Sequence, residues 1–254
     1  MKHLNKLVLI IISITFFSCE VVQEVNFNED KSGTQSLSFS FSEMMNMGMP
    51  PEQDTANKLT DTVIRFSDFL EQKKDSISKL SKEKQEKIKQ LENFSLYIDS
   101  DSLSTKLEMK INYDFKNLKD LALFSEKLKD QDIKELDQFT TKIEKSKKND
   151  DANIFDFNTS FKTTFNNKNF SLKITPETLE KIKSKKDSTL TKDNPMLDLM
   201  RFKVKYTFPY RIKKISNKNA KILYDFKGFE ISANVFEMEN NPKHFDVEVE
   251  FEKD

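Results

Sequence analysis

The sequence predicts an α+β fold, a twisted antiparallel sheet of about eight strands with helices packed on one face. Three observations lead there. Apolar and polar residues alternate through much of the chain, which is the period of a strand. Segments of helical period interrupt those strands in groups. Twenty-three Phe, spread along a chain that is 33% charged, supply the apolar bulk for a core. Nearly every strand has one polar face, and parallel sheets are usually buried on both faces, so antiparallel pairing is expected.

The chain opens on a leader. Met1 to Lys6 is short and basic, and Leu7 to Phe17 is apolar except for Ser13 and Thr15, the layout of a secretory signal. As a helix that run spans only ~16 Å, about half the hydrocarbon thickness of a bilayer. Phe16-Phe17-Ser18-Cys19 resembles the bacterial lipobox, in which a small residue precedes the cysteine, although Phe16 stands where an aliphatic residue is usual. The resemblance implies a lipoprotein signal peptide over 1–18. It makes Cys19 the lipidation site, carrying a diacylglycerol thioether and an N-acyl chain such as palmitate. Cys19 is the single cysteine, so no intramolecular disulfide can form, and lipidation accounts for a lone thiol in an exported chain. Residues 19–254 are then one lipid-anchored domain, since no long linker or fixed repeat divides them. Glu20, rather than Asp, follows the cysteine, which favours the outer membrane and leaves the leaflet open.

Val21 to Phe27 reads as a strand, Asn28 to Gly33 as a turn, and Thr34 to Phe41 as the returning strand of a hairpin. Leu59, Val63, Phe66 and Leu70 follow helical spacing. A charged helix is expected from about Ser81 to Leu91. Lys106 to Phe115 alternates as a strand. Asn117, with Asp120 three residues on, caps a helix bearing Leu118, Leu121 and Leu128, which Ile133, Leu136 and Ile143 extend or follow. Phe155 to Phe165 and Phe170 to Ile174 alternate again. Pro176 opens a short helix, Pro being favoured at the first helical position. Strands are expected at Phe202–Phe208, Phe229–Val235 and Phe245–Phe251.

Two further pieces, Phe27 to Gly33 with Ser42-Glu-Met-Met45, and Phe208-Pro-Tyr-Arg-Ile212 with Asn219-Ala220, resemble a group of bacterial lipoproteins that includes the LppM-like domain. The resemblance implies an antiparallel sheet backed by helices and brings no catalytic residues with it.

Composition narrows the function. Net charge is zero for the whole chain, and the leader holds two of the basic residues and no acid, which leaves the mature chain at −2. A nucleic-acid partner would need a basic face, so none is expected. Lys-rich stretches at Ser81–Lys89 and Lys142–Lys148 alternate with acids and read as solvated helix faces. Three Gly exclude a glycine-rich phosphate loop. His244 is the single histidine of the mature chain, which excludes a multi-histidine zinc site, and it reads as an exposed edge residue. Without Trp, sugar stacking is poorly served, and no enzyme activity, cofactor or resident metal is expected. Met44, Met45, Met47 and Met49 could in principle hold Cu(I) through soft thioethers, but four flexible apolar residues more simply fill a gap or cap the sheet. The leading expectation is a non-enzymatic envelope lipoprotein that binds another envelope component, either a protein or an amphiphile. The alternative is a carrier or sensor holding an amphiphile in a Phe-lined cavity. A filled core with an exposed apolar patch would favour the first, and an open Phe-lined cavity the second.

Overall fold

A computed structural model of the chain describes residues 19–40, 62–101, 106–129, 157–184 and 200–252. Strands β1 (Cys19–Phe27) and β2 (Gly33–Ser40) form the first hairpin. Its turn is closed by Asn28 N–H donating to the Ser32 carbonyl at 2.8 Å, while the Asp30 carboxylate accepts from Ser32 N–H at 3.0 Å. Gly33 lies where the backbones crowd: a Cβ there would stand 1.9 Å from the Asn26 carbonyl oxygen and 2.7 Å from the Phe115 ring.

Strand β3 (Thr62–Arg65) leads into helices α1 (Phe66–Gln72), α2 (Lys74–Ile77) and α3 (Lys82–Lys89). The helical spacing through Val63 is overridden because Val63 and Ile64 pair across from Tyr97 and Leu96, so the helix starts only at Phe66. Ser81 caps α3 by accepting from Lys84 N–H. Strand β4 (Phe94–Asp101) is an element that the reading of the sequence passed over, although Phe94, Leu96 and Ile98 alternate clearly. It pairs with β5 (Lys106–Phe115). Asn117 then accepts from both Lys119 N–H and Asp120 N–H, opening α4 (Leu118–Ala122) as its sequence predicts, and α5 (Phe124–Lys129) follows.

The alternation from Phe155 is broken by a helical turn, α6 (Phe157–Ser160), before β6 (Phe161–Phe165) and β7 (Asn169–Ile174). Next come α7 (Pro176–Ser184), β8 (Met200–Thr207), β9 (Ile212–Ile215), β10 (Lys221–Ile222) and β11 (Gly228–Asn234). Strand β11 stops one residue short of Val235. Asn234 accepts from Glu237 N–H while Glu237 accepts from Asn234 N–H, and this capping box turns the chain into α8 (Val235–Asn240). Strand β12 (Val247–Phe251) completes the described residues. The helix expected around Ile133 to Ile143 lies outside them.

The fold is α+β with an eight-stranded sheet, in the order β10-β11-β8-β1-β2-β5-β4-β3. Every neighbouring pair in it is antiparallel except β1 and β8, which run parallel at its centre. In this register polar side chains meet. It brings Lys203 to 2.9 Å from Glu20 and Lys205 to 2.9 Å from Glu24, and joins Thr207 to Asn26, all on the polar face. Alternation alone does not tell parallel from antiparallel pairing when one face stays polar.

A second sheet, β6-β7-β12-β9, is antiparallel throughout. Its apolar residues Phe165, Phe170, Leu172, Val249 and Phe251 face the large sheet's Phe27, Tyr206 and Phe229 in one buried cluster. The cover over that end of the large sheet is thus largely another sheet, with α4 and α8 packed beside the strands. The period-two pattern marks which face is apolar but not which strands share a sheet.

Phe27 is the hub of this interior. Its ring centroid lies 4.5 Å from Phe165, 5.6 Å from Phe115, 6.0 Å from Phe208, 6.1 Å from Phe170 and 6.4 Å from Tyr206. Phe170 touches Tyr206 and Phe208 at 4.9 Å each, and Phe208 meets Phe251 at 4.9 Å. Rings at such separations are in contact between the sheets.

Candidate functional site

Cys19 opens β1, its backbone in register with Met200 of the neighbouring β8. Lipid on this residue would therefore join the middle of the large sheet with little intervening chain. Met44, Met45, Met47 and Met49 lie outside the described residues, as does the stretch Lys142–Lys148. Among the described residues no group of three or more His, Cys, Asp or Glu could hold a metal ion, and no helix is long and apolar enough to cross a membrane. His244 is half-buried rather than a free edge residue. Its Nε2 donates to the Ser232 carbonyl at 3.1 Å and its ring lies against Phe245, so it joins the segment before β12 to β11.

One titratable cluster stands out. Tyr113, fully buried on β5, donates its hydroxyl to Asp120 Oδ1 at 2.5 Å, and Lys127 Nζ reaches both Asp120 Oδ1 and the Tyr113 hydroxyl at 2.5 Å. Asp120 Oδ2 accepts from Lys116 N–H at 3.0 Å. For Asp120, burial is the largest single influence and raises the pKa. The hydrogen bonds from Lys127, Tyr113 and Lys116, together with the Lys127 charge, outweigh it and hold the carboxyl below the usual range. Burial, then the Asp120 hydrogen bond and charge, pushes the Tyr113 phenol well above its ordinary value. Such a tyrosine stays neutral near neutral pH, and both carboxylate oxygens are already bonded within the protein. The cluster is a clasp fastening α4 and α5 to β5.

The candidate site is instead the turn between β10 and β11. Ile222, Tyr224 and Phe226 are 42%, 96% and 49% exposed, three large apolar side chains within five residues. The turn that displays them is firmly held. Leu223 N–H donates to the Gly228 carbonyl at 2.9 Å, Phe226 N–H to Leu223 at 3.0 Å, and Lys227 N–H to the Asp225 carboxylate at 3.0 Å. From outside the turn, Ile212 N–H donates to the Phe226 carbonyl and Phe208 N–H to the Lys227 carbonyl, both at 2.7 Å. Phe226 sits at φ 59°, a left-handed conformation a bulky residue rarely adopts, and these bonds fix it there. Gly228 anchors the far side, where a Cβ would lie 2.5 Å from the Tyr206 carbonyl oxygen.

The stretch of chain that carries this tip is basic. Residues 211–227 contain six basic residues and one acid in a chain of zero net charge. The Arg211 guanidinium lies 5.2 Å from the centre of the Phe226 ring and 3.4 Å from Glu252, and Lys213 pairs with Glu250 at 2.6 Å. Lys214, Lys218, Lys221 and Lys227 make no ion pair among the described residues. Strands β9 and β10 are each the last strand of their sheet, and residues 216–220 join them. The sequence reading missed this surface because its residues carry no motif. The available signal was local charge imbalance beside Tyr224-Asp225-Phe226.

No protein family matches the sequence, and no curated protein matches it either. Among solved structures, the chain is similar to the folded domain of the LppM protein of Mycobacterium tuberculosis, with 8% identity, 94% of each chain covered and a TM-score of 0.34. A likeness that distant transfers no role to this chain.

Proposed function

We propose that this chain is a non-enzymatic interaction module of the bacterial envelope. It is tethered to a membrane, in our reading the outer membrane, by lipid on Cys19, and it engages a partner through the β10–β11 turn. The observation that carries the proposal is the rigid display of Tyr224 beside Ile222 and Phe226 on a domain whose other described aromatics are largely packed inward. Exposed apolar side chains occur singly on most surfaces, whereas a cluster on a fastened turn is the mark of a contact site. The ring-to-ring contact around Phe27 favours this reading over the amphiphile carrier. The internal saturation of Tyr113, Asp120 and Lys127 supports a non-catalytic role.

The test combines anchor and tip. A photoreactive amino acid at position 224 should crosslink to an envelope component in living cells, while the same group at Asp30, in the turn of the first hairpin, should not. Cys19→Ser should release the protein from the outer-membrane fraction on a density gradient. Equal crosslinking at 30 and 224, or retention of Cys19→Ser in the membrane, would reject the respective half of the proposal.

A further inference from the structure

We infer that the Cys19 end of the large sheet is the surface that meets the anchoring bilayer, so that the strands rise from the membrane and the β10–β11 tip stands clear of it; this rests on the reading of Cys19 as the lipid anchor. The first ground is the length of the tether. Cys19 already lies in strand β1, its backbone in register with Met200, and two residues on Val21 pairs with Phe202 on one side and Phe39 on the other. No linker separates the lipid from the sheet. Acyl chains inserted from Cys19 hold that end of β1 at the headgroups.

The second ground is the place of β1 in the sheet. It is the fourth of eight strands, with β8 and β11 on one side and β2 and β5 on the other. The ends of these neighbours are level with its own. Met200, the first residue of β8, stands opposite Cys19, and Asn234, the last of β11, stands opposite Arg201. Strand β2 ends at Ser40, one residue past the partner of Val21, and Ser40 lies opposite Glu108 of β5, which begins two residues earlier at Lys106. A sheet held through a middle strand cannot lean far in its own plane, because the ends of the flanking strands reach the bilayer first. Leaning towards the apolar face is opposed as well. The second sheet is packed over the far half of that face, with Phe165 against Phe27 and Phe170 against Tyr206 and Phe229.

One way of lying down remains, onto the polar face, and there Glu20 pairs with Lys203 and Glu24 with Lys205 at 2.9 Å each, so the charges that β1 carries are already answered within the sheet. The tip is at the opposite end. The register places Gly228, where β11 begins, opposite Thr207, and Thr207 opposite Asn26, seven residues along β1 from Cys19. At ~3.3 Å per residue that is ~23 Å of strand. The occupant of the tip therefore lies in the aqueous space and not among the headgroups of the anchoring leaflet.

Cys19 is the single cysteine and the lipid consumes its thiol, so one cysteine engineered into the full mature protein carries the only label. Arg201→Cys reports the anchored end. Asp114→Cys reports the far end of the polar face, since Asp114 lies opposite Thr34 and Thr34 opposite Asn26. Tyr224→Cys reports the tip, where the side chain is exposed. Each variant is labelled with a fluorophore and reconstituted into phosphatidylcholine vesicles whose headgroups carry a quencher. Flotation reads the anchor, and quenching reads height above the bilayer. The expected result is that all three float, with strong quenching at 201 and loss of most of it at 114 and 224. Quenching at 114 equal to that at 201 would mean a sheet lying on its polar face, and equal quenching at 224 a tip against the bilayer; either would overturn the orientation while the anchor stood. Failure to float would overturn the anchor, and the orientation with it.

Discussion

Phe27→Ala tests whether the interior is a filled core. Phe27 is buried where the two sheets meet, with five aromatic rings within 6.4 Å of its centroid. Truncating a buried Phe to Ala costs ~3–5 kcal/mol, the larger values arising where surroundings cannot collapse. Here Phe115 and Tyr206 are held by one sheet, with Phe208 just past the end of β8, and Phe165 and Phe170 by the other, so closing the void would require moving strands. Loss of the stacked pair with Phe165 at 4.5 Å adds to the cost. The expected destabilisation is therefore in the upper half of that range, ~4–5 kcal/mol. For a chain of this size that lowers Tm by ~8–20 °C. Urea and thermal unfolding of the mature chain, followed by circular dichroism, measure it. Phe27→Leu, which keeps most of the volume, should cost under half as much. A loss below about 1 kcal/mol for Phe27→Ala would refute the packed interior and return the carrier to first place.

Asp120→Asn should cost ~2–3 kcal/mol at neutral pH, because hydrogen bonds to a charged partner carry more than neutral ones. Asp120 has its carboxyl pKa lowered in the folded state, so its contribution is present above the unfolded value of ~3.9 and is lost as pH falls through the folded value. Wild type and variant should therefore converge in acid, and a constant gap from pH 7 down to pH 2 would contradict the clasp. Tyr206 is raised by burial, and its folded pKa above the unfolded ~10 means stability present below that pH and lost above it. Tyr206→Phe should flatten the alkaline limb of the stability profile, and an unchanged limb would count against it. Gly33→Ala should destabilise by ~2 kcal/mol or more, since its Cβ meets backbone that cannot swing aside. A neutral result in urea would mean that β1 and β2 cross less closely.

Legibility in the sequence followed the range of the cause. Part of the local chemistry was readable. Asn117 capped its helix as its spacing with Asp120 foretold, Pro176 opened another, and the Asn28–Gly33 turn closed the first hairpin. Alternation identified the inward face of β2, β7 and β12 correctly. Partner choice was not readable, because β1 finds β8 some 180 residues away, in a register that only the assembled sheet displays. Val63 showed the same limit, its helical spacing yielding to pairing with Tyr97. Asn234-x-x-Glu237 was a readable capping box hidden by the strong strand before it. The tip at Tyr224 needed exposure to be recognised, and exposure is a property of the folded surface.

The account's central claim, a lipid-anchored domain with a filled interior, is tested most directly by native mass spectrometry of the mature protein extracted from membranes. The account predicts a chain beginning at Cys19, heavier by a diacylglycerol and an acyl chain, with no non-covalent adduct after mild activation. A chain lacking covalent lipid would contradict the anchor. A retained lipid-sized adduct that Phe27→Ala releases would contradict the filled core and establish the carrier.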